Sequence, residues 1–182
     1  MEVNRQEIEG FLEKNGFDNY RWLDPKTEIF VEHWPRLKCQ FGCSNYGVKG
    51  ACPPLLPPID EVKAIMQEYD HAVLIRHEFV YPDDDIFLKQ IVSVQKRVVA
   101  LERDVFLAGY YKTFLMMAGS CALCKTCTAE GTREKCKQKM KARPGPDAMG
   151  IDMYKTVRNA GYELNVVVEY GSQNQHSILL VD

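Results

Sequence analysis

The stretch AVLIRHEFV, Ala72 to Val80, is made mostly of β-forming residues and predicts a strand. Behind it, Asp84 to about Ala108 reads as one long helix. Its acidic first turn suits the helix dipole, Ile86, Ile91, Val94, Val98, Leu101 and Val105 recur near 3.6 residues, and Gly109 ends it. YKTFLMM, Tyr111 to Met117, then predicts a second strand that delivers the chain to Gly119. Strand, helix and strand in succession make a βαβ-type unit. The fold class expected is therefore α/β, with α+β as the alternative: a sheet-and-helix sandwich carrying two cysteine-rich metal-binding loops on one edge of the sheet.

Outward from that unit, Asn4 can cap a helix from Arg5 to Lys14, with Ile8, Phe11 and Leu12 on one face and Gly16 as its stop. Trp22 to Val31 reads as extended, a hairpin turning at Asp24-Pro25-Lys26-Thr27. Cys39 to Pro58 is rich in Gly, Asn and Pro and reads as loop throughout. Asp60 to Tyr69 predicts a helix entered through Pro57-Pro58. The tail predicts a helix from Asp152 to Asn159, closed by Gly161, then strands at Leu164 to Tyr170 and Ser177 to Val181. A chain of 182 residues fits a single metal-binding domain spanning 1–182, with cysteine loops at 39–58 and 119–144.

A net charge of −2 supplies no basic field for nucleic acid, so none is expected as a partner. No apolar run approaches the roughly 18 residues of a spanning helix, and the polar N-terminus has no signal-peptide core. The expected location is the cytoplasm. In a reducing cytosol the seven cysteines do not suit a disulfide framework, and an odd number cannot pair completely. They fall in two groups, three between Cys39 and Cys52 and four between Cys121 and Cys136.

Cys121-x2-Cys124-x2-Cys127, with Cys136 after eight more residues, begins with the spacings of a bacterial ferredoxin run. A loop wrapping a cubane offers one thiolate about every third residue, and the small residues Gly119, Ser120, Ala122, Thr126 and Thr128 let backbone N–H groups approach the sulfurs. Lys125, Arg133, Lys135 and Lys137 would offset an anionic cluster. Zinc is the alternative, although tetrahedral zinc usually takes two separated pairs rather than a triplet. Cys136 either closes this cluster or ligates another.

Cys39-x3-Cys43-x8-Cys52-Pro-Pro offers three more candidate ligands, for cluster or metal. Three thiolates leave one cubane corner without a cysteine. His33 or His71 can fill it, it can stay open to substrate or solvent, the cluster can hold three irons, or Cys136 can be borrowed. The bland alternative is three packing cysteines. The catalytic residues, the number and type of clusters, and the oligomeric state are not legible.

Several motifs in order carry a likeness: Tyr46-Gly47, Cys52-Pro53-Pro54, Gly109-Tyr110-Tyr111, Ala118-Gly119 before the triplet, Ala142-Arg143-Pro144, and Ala148-Met149-Gly150-Ile151-Asp152. With the cysteines, they resemble a prokaryotic domain-of-unknown-function family described as predicted metal-binding proteins. The chain departs from that pattern at Pro144-Gly145-Pro146. The resemblance implies a cysteine-ligated metal of iron–sulfur type in an anaerobic cytoplasm, and it implies no reaction.

The leading expectation is one or two [4Fe-4S] clusters serving electron transfer to a redox partner protein. The basic stretch Lys135 to Lys141, with Arg143, reads first as a solvated face, with docking of an acidic redox partner as the alternative. One alternative is a redox enzyme or reductase with an open iron at the three-cysteine loop. Another is a zinc-stapled structural or binding module.

Overall fold

The computed structural model describes residues 2–81, 83–166 and 171–182. Its elements run α1 (Arg5–Lys14), β1 (Tyr20–Leu23), α2 (Pro25–Glu28), α3 (Trp34–Gly42), α4 (Ile59–Met66), β2 (Ala72–Tyr81), α5 (Asp84–Leu107), β3 (Phe114–Met116), α6 (Met153–Asn159) and β4 (Gly171–Leu180). One sheet of order β1-β2-β4-β3 is antiparallel at every pairing. Since β2 and β3 each run opposite to β4, they are parallel to one another, joined by α5. The βαβ-type unit expected from sequence is thus present in split form, with β4 inserted between its strands.

The α/β class holds, and the sheet is covered on both faces. Val73, Ile75, Phe79, Leu115 and Leu179 pack on one face with Ile8 and Leu12 of α1 and with Ile91, Val94, Val98, Leu101 and Val105 of α5. The alternate residues Ala72, Leu74, Met116, Ile178 and Leu180 pack on the other with Val62 and Met66 of α4 and Val157 of α6. This is the period-two alternation of a strand meeting the 3.6 period of a helix. Each fully buried Leu, Ile or Val contributes about 1.5–3 kcal/mol. Burial also holds two imidazoles neutral: His77 has its pKa lowered to about 3 and His176 to about 4. Among the described residues no helix is long and apolar enough to cross a membrane.

Three local expectations are corrected. The hairpin at Trp22–Val31 is instead β1 followed by a helical turn: the Asp24 side chain accepts from Lys26 N–H, and Pro25 takes the first helical position. Cys39 lies in α3 rather than in a loop, because Pro35 again supplies a preset first turn. In the tail, Leu164–Val166 carry no regular structure and the rest of that proposed strand lies outside the described residues. The last strand is longer than expected, beginning at Gly171.

Two buried polar side chains on α5 fix the path into and out of the second cysteine segment. Gln95, fully buried, donates from Nε2 to the carbonyls of Ala118 (2.9 Å) and Ser120 (3.0 Å), and its Oε1 accepts from Ala122 N–H at 2.8 Å. Glu102 Oε1 accepts from Leu115 N–H at 2.9 Å and from Arg143 Nε at 2.8 Å. A buried carboxylate is tolerated there because both a backbone donor and a guanidinium meet it.

Candidate metal centres

The segment after β3 has no helix or strand between Gly119 and Gly150; it is a succession of bends and turns. It bends round a wide basin of about 780 Å³, and Cys121, Cys124, Cys127 and Cys136 all line it. All four are free and half-buried. Cys136, whose assignment the spacing left open, therefore faces the same space as the triplet.

Of the positive residues expected from sequence, Lys125 lines the basin. Lys135 is instead paired with Glu130 at 2.7 Å, and Arg133 donates to the Lys139 carbonyl at 2.9 Å. Three further lysines at the rim went unread: Lys89 and Lys96 from α5, and Lys49 from the first cysteine segment. Lys89 and Lys96 stand seven residues apart, two turns of one helix face. Burial raises the Cys121 thiol pKa, against lowering by the Leu123 backbone N–H and by Lys49.

The first group gathers about a much narrower pocket of about 40 Å³. Cys39, Cys43 and Cys52 line it together with Tyr46, Ser120 and Asp147. Cys39 comes from the last turn of α3, while Cys43 and Cys52 come from the turns that follow. Cys43 is exposed, Cys39 half-buried and Cys52 buried. Desolvation pushes the Cys39 thiol up to about 11 and the Cys52 thiol to about 12. Within those shifts Asp147 and the neighbouring thiols act in the same direction as burial, opposed by Arg36 at Cys39 and by Lys49 at Cys52.

Neither histidine considered for the vacant corner lines this pocket. His33 is exposed and sits 3.8 Å from Asp60, while His71 Nδ1 is 2.9 Å from Asp182 Oδ1. The acidic residue that is present, Asp147, had no signal in sequence spacing. Solvent reaches its carboxyl, yet the surrounding protein raises its pKa by desolvation, with backbone N–H groups of Ala148 and Asp147 opposing.

The two sites share a wall. Lys49 Nζ donates to Ser120 Oγ at 3.2 Å and to the Cys121 carbonyl at 2.9 Å, and Asn45 Nδ2 donates to the same Ser120 hydroxyl at 3.1 Å. Gly131 N–H donates to the Val48 carbonyl at 3.0 Å. Gly131 has a positive φ of 77°, and a Cβ there would lie 2.8 Å from the Gly47 carbonyl oxygen, so only glycine lets the segments approach this closely.

Among the described residues, no three His, Cys, Asp or Glu side chains converge tightly enough to hold a single metal ion. Zinc would need four sulfurs about 2.3 Å from one point. The donor set, four free thiols round a basin edged by ammonium groups, fits a larger anionic group whose irons each take one thiolate.

A profile for predicted metal-binding proteins, DUF2284, matches residues 21–181. The chain belongs to this family. The family description names no metal. All seven cysteines and Asp147 fall inside the matched DUF2284 region, whereas α1 lies before it. No curated protein and no solved structure matches the chain.

Proposed function

We propose that this protein is a two-centre iron–sulfur electron-transfer protein, a single metal-binding domain over residues 1–182. Cys121, Cys124, Cys127 and Cys136 would hold one [4Fe-4S] cluster in the basin. Cys39, Cys43 and Cys52 would hold three corners of a second. The observation that carries the reading is the shared wall: Lys49, Ser120 and Cys121 link the two cysteine-lined cavities through direct hydrogen bonds. Two redox groups so placed form a relay.

When bound, each cluster supplies reversible one-electron transfer. The chain's own residues do the rest. Lys49, Lys89, Lys96 and Lys125 offset negative charge at the basin. Gln95 fixes the backbone at Ala118, Ser120 and Ala122 on the approach to the triplet, and the buried Cys52 side keeps water from one face of the pocket. The basic stretch Lys135 to Lys141 offers a docking face for an acidic redox partner.

The test is an anaerobic redox titration followed by electron paramagnetic resonance (EPR). Two reversible one-electron reductions are expected, and Lys49→Met should move both to lower potential because one ammonium stands between the sites. The absence of any reversible reduction in the biological range would end the electron-transfer reading.

A further inference from the structure

We infer that the Asp147 carboxylate is the fourth ligand of the cluster held by Cys39, Cys43 and Cys52. The inference rests on the reading of that pocket as a cluster site and names the corner for which the sequence provides no cysteine.

Among the described residues lining the pocket, Asp147 is the one carboxylate. The Ser120 hydroxyl is already committed as the acceptor of Asn45 and Lys49. The carboxyl of Asp147 accepts from its own N–H and from that of Ala148, and no lysine, arginine or histidine among the described residues forms an ion pair with it. With no such partner, this carboxylate at the edge of a thiol-lined pocket is left available to meet a cation. Iron would be that cation.

The position is also built. Met117 N–H donates to the Pro144 carbonyl at 2.8 Å, tying this turn to the end of β3. Gly150 N–H donates to the Asp147 carbonyl at 2.9 Å and Met149 N–H to the Gly145 carbonyl at 3.1 Å, closing the turn around Asp147. A Cβ on Gly145 would stand 2.7 Å from Asp147 Oδ1 and 2.9 Å from the Gly119 carbonyl oxygen. Glycine at 145 therefore lets the carboxylate and the pocket wall close on the same strip of backbone.

A carboxylate is a harder, less firmly held ligand for a cluster iron than a thiolate. The corner it caps should be the one that iron leaves under oxidation. The step is [4Fe-4S]²⁺ going to [3Fe-4S]⁺, Fe²⁺ and one electron, with ferricyanide taking the electron and the carboxylate left free.

The test uses the full chain, reconstituted anaerobically and then treated with ferricyanide, with released iron and the EPR signal of the three-iron cluster followed in time. Wild type should release one iron and develop that signal. Asp147→Cys should slow the release at least about tenfold, and Asp147→Ala should speed it, with the basin cluster's signal unchanged in both as the check on folding. Equal release from wild type and both variants would overturn the assignment of Asp147 while leaving the cluster in place. If Cys43→Ser altered neither iron content nor spectrum, the pocket would hold no cluster, and both the pocket reading and this assignment would fall.

Discussion

The two cysteine sites lie side by side and differ in room. The basin of Cys121, Cys124, Cys127 and Cys136 encloses about 780 Å³, whereas the pocket of Cys39, Cys43 and Cys52 encloses about 40 Å³. The difference follows from what surrounds each. The basin is lined on one side by Lys89 and Lys96 of α5, and its cysteines sit on bends and turns that reach around open space. The pocket is narrowed by Tyr46, Pro53 and Ala148, which line it beside the thiols. An open set of cysteines beside ammonium groups can take up a cluster assembled elsewhere. A narrower set must first widen and shed its protons, so the pocket should load later, and with a carboxylate at one corner it should lose iron sooner.

The largest expected effect separates the sites outright. Cys124→Ser should remove about four of about eight irons, with the pocket's redox signal retained. Loss of both signals would mean that the sites assemble as one unit. Conversely, Cys43→Ser should spare the basin.

Acidity gives the next contrast. The folded metal-free chain favours protonated Cys39 and Cys52, whose pKa values lie above the ordinary 9.0. Their contribution to stability is full below about pH 9 and is lost as pH climbs through about 11 and 12. Metal uptake runs the other way, since ligands must be deprotonated, and pocket loading should quicken by as much as about tenfold per pH unit below those values. Circular dichroism melts of metal-free protein from pH 8 to 11, beside loading rates from pH 7 to 9, check both signs. A flat profile in either would break the contrast.

The smallest effect lies in the scaffold. Gln95→Leu leaves the carbonyls of Ala118 and Ser120 and the N–H of Ala122 without this partner, which should cost about 1–3 kcal/mol in a denaturant titration. Basin loading should suffer more than pocket loading, because Gln95 grips the approach to Cys121. An equal loss at both sites would assign Gln95 to the fold as a whole.

Much of this was legible from the chain itself. Helix α1 matches its expected bounds because Asn4, an apolar stripe and Gly16 agree, and α5 does so for similar reasons. Asp24-Pro25 misled because the same pair opens a β-turn or a helix, and the choice is made by packing: Ile29 is buried in the core beneath α4 and β2. The insertion of β4 between β2 and β3 could not be read, since pairing partners far apart in sequence leave no local trace. Among the candidate ligands, the cysteines stand out by their spacing in sequence. Asp147 and Lys49 do not, because what joins them to the sites is the approach of separate turns across Gly131 and Gly145, and Lys96 does not, because it reaches the basin from α5, distant in sequence.

The most direct measurement is iron, zinc and acid-labile sulfide per chain in protein purified without oxygen. The account predicts about eight iron with matching sulfide, or near seven where the Asp147 corner has been vacated. About one zinc per chain with no sulfide would contradict it and leave a structural metal module in its place.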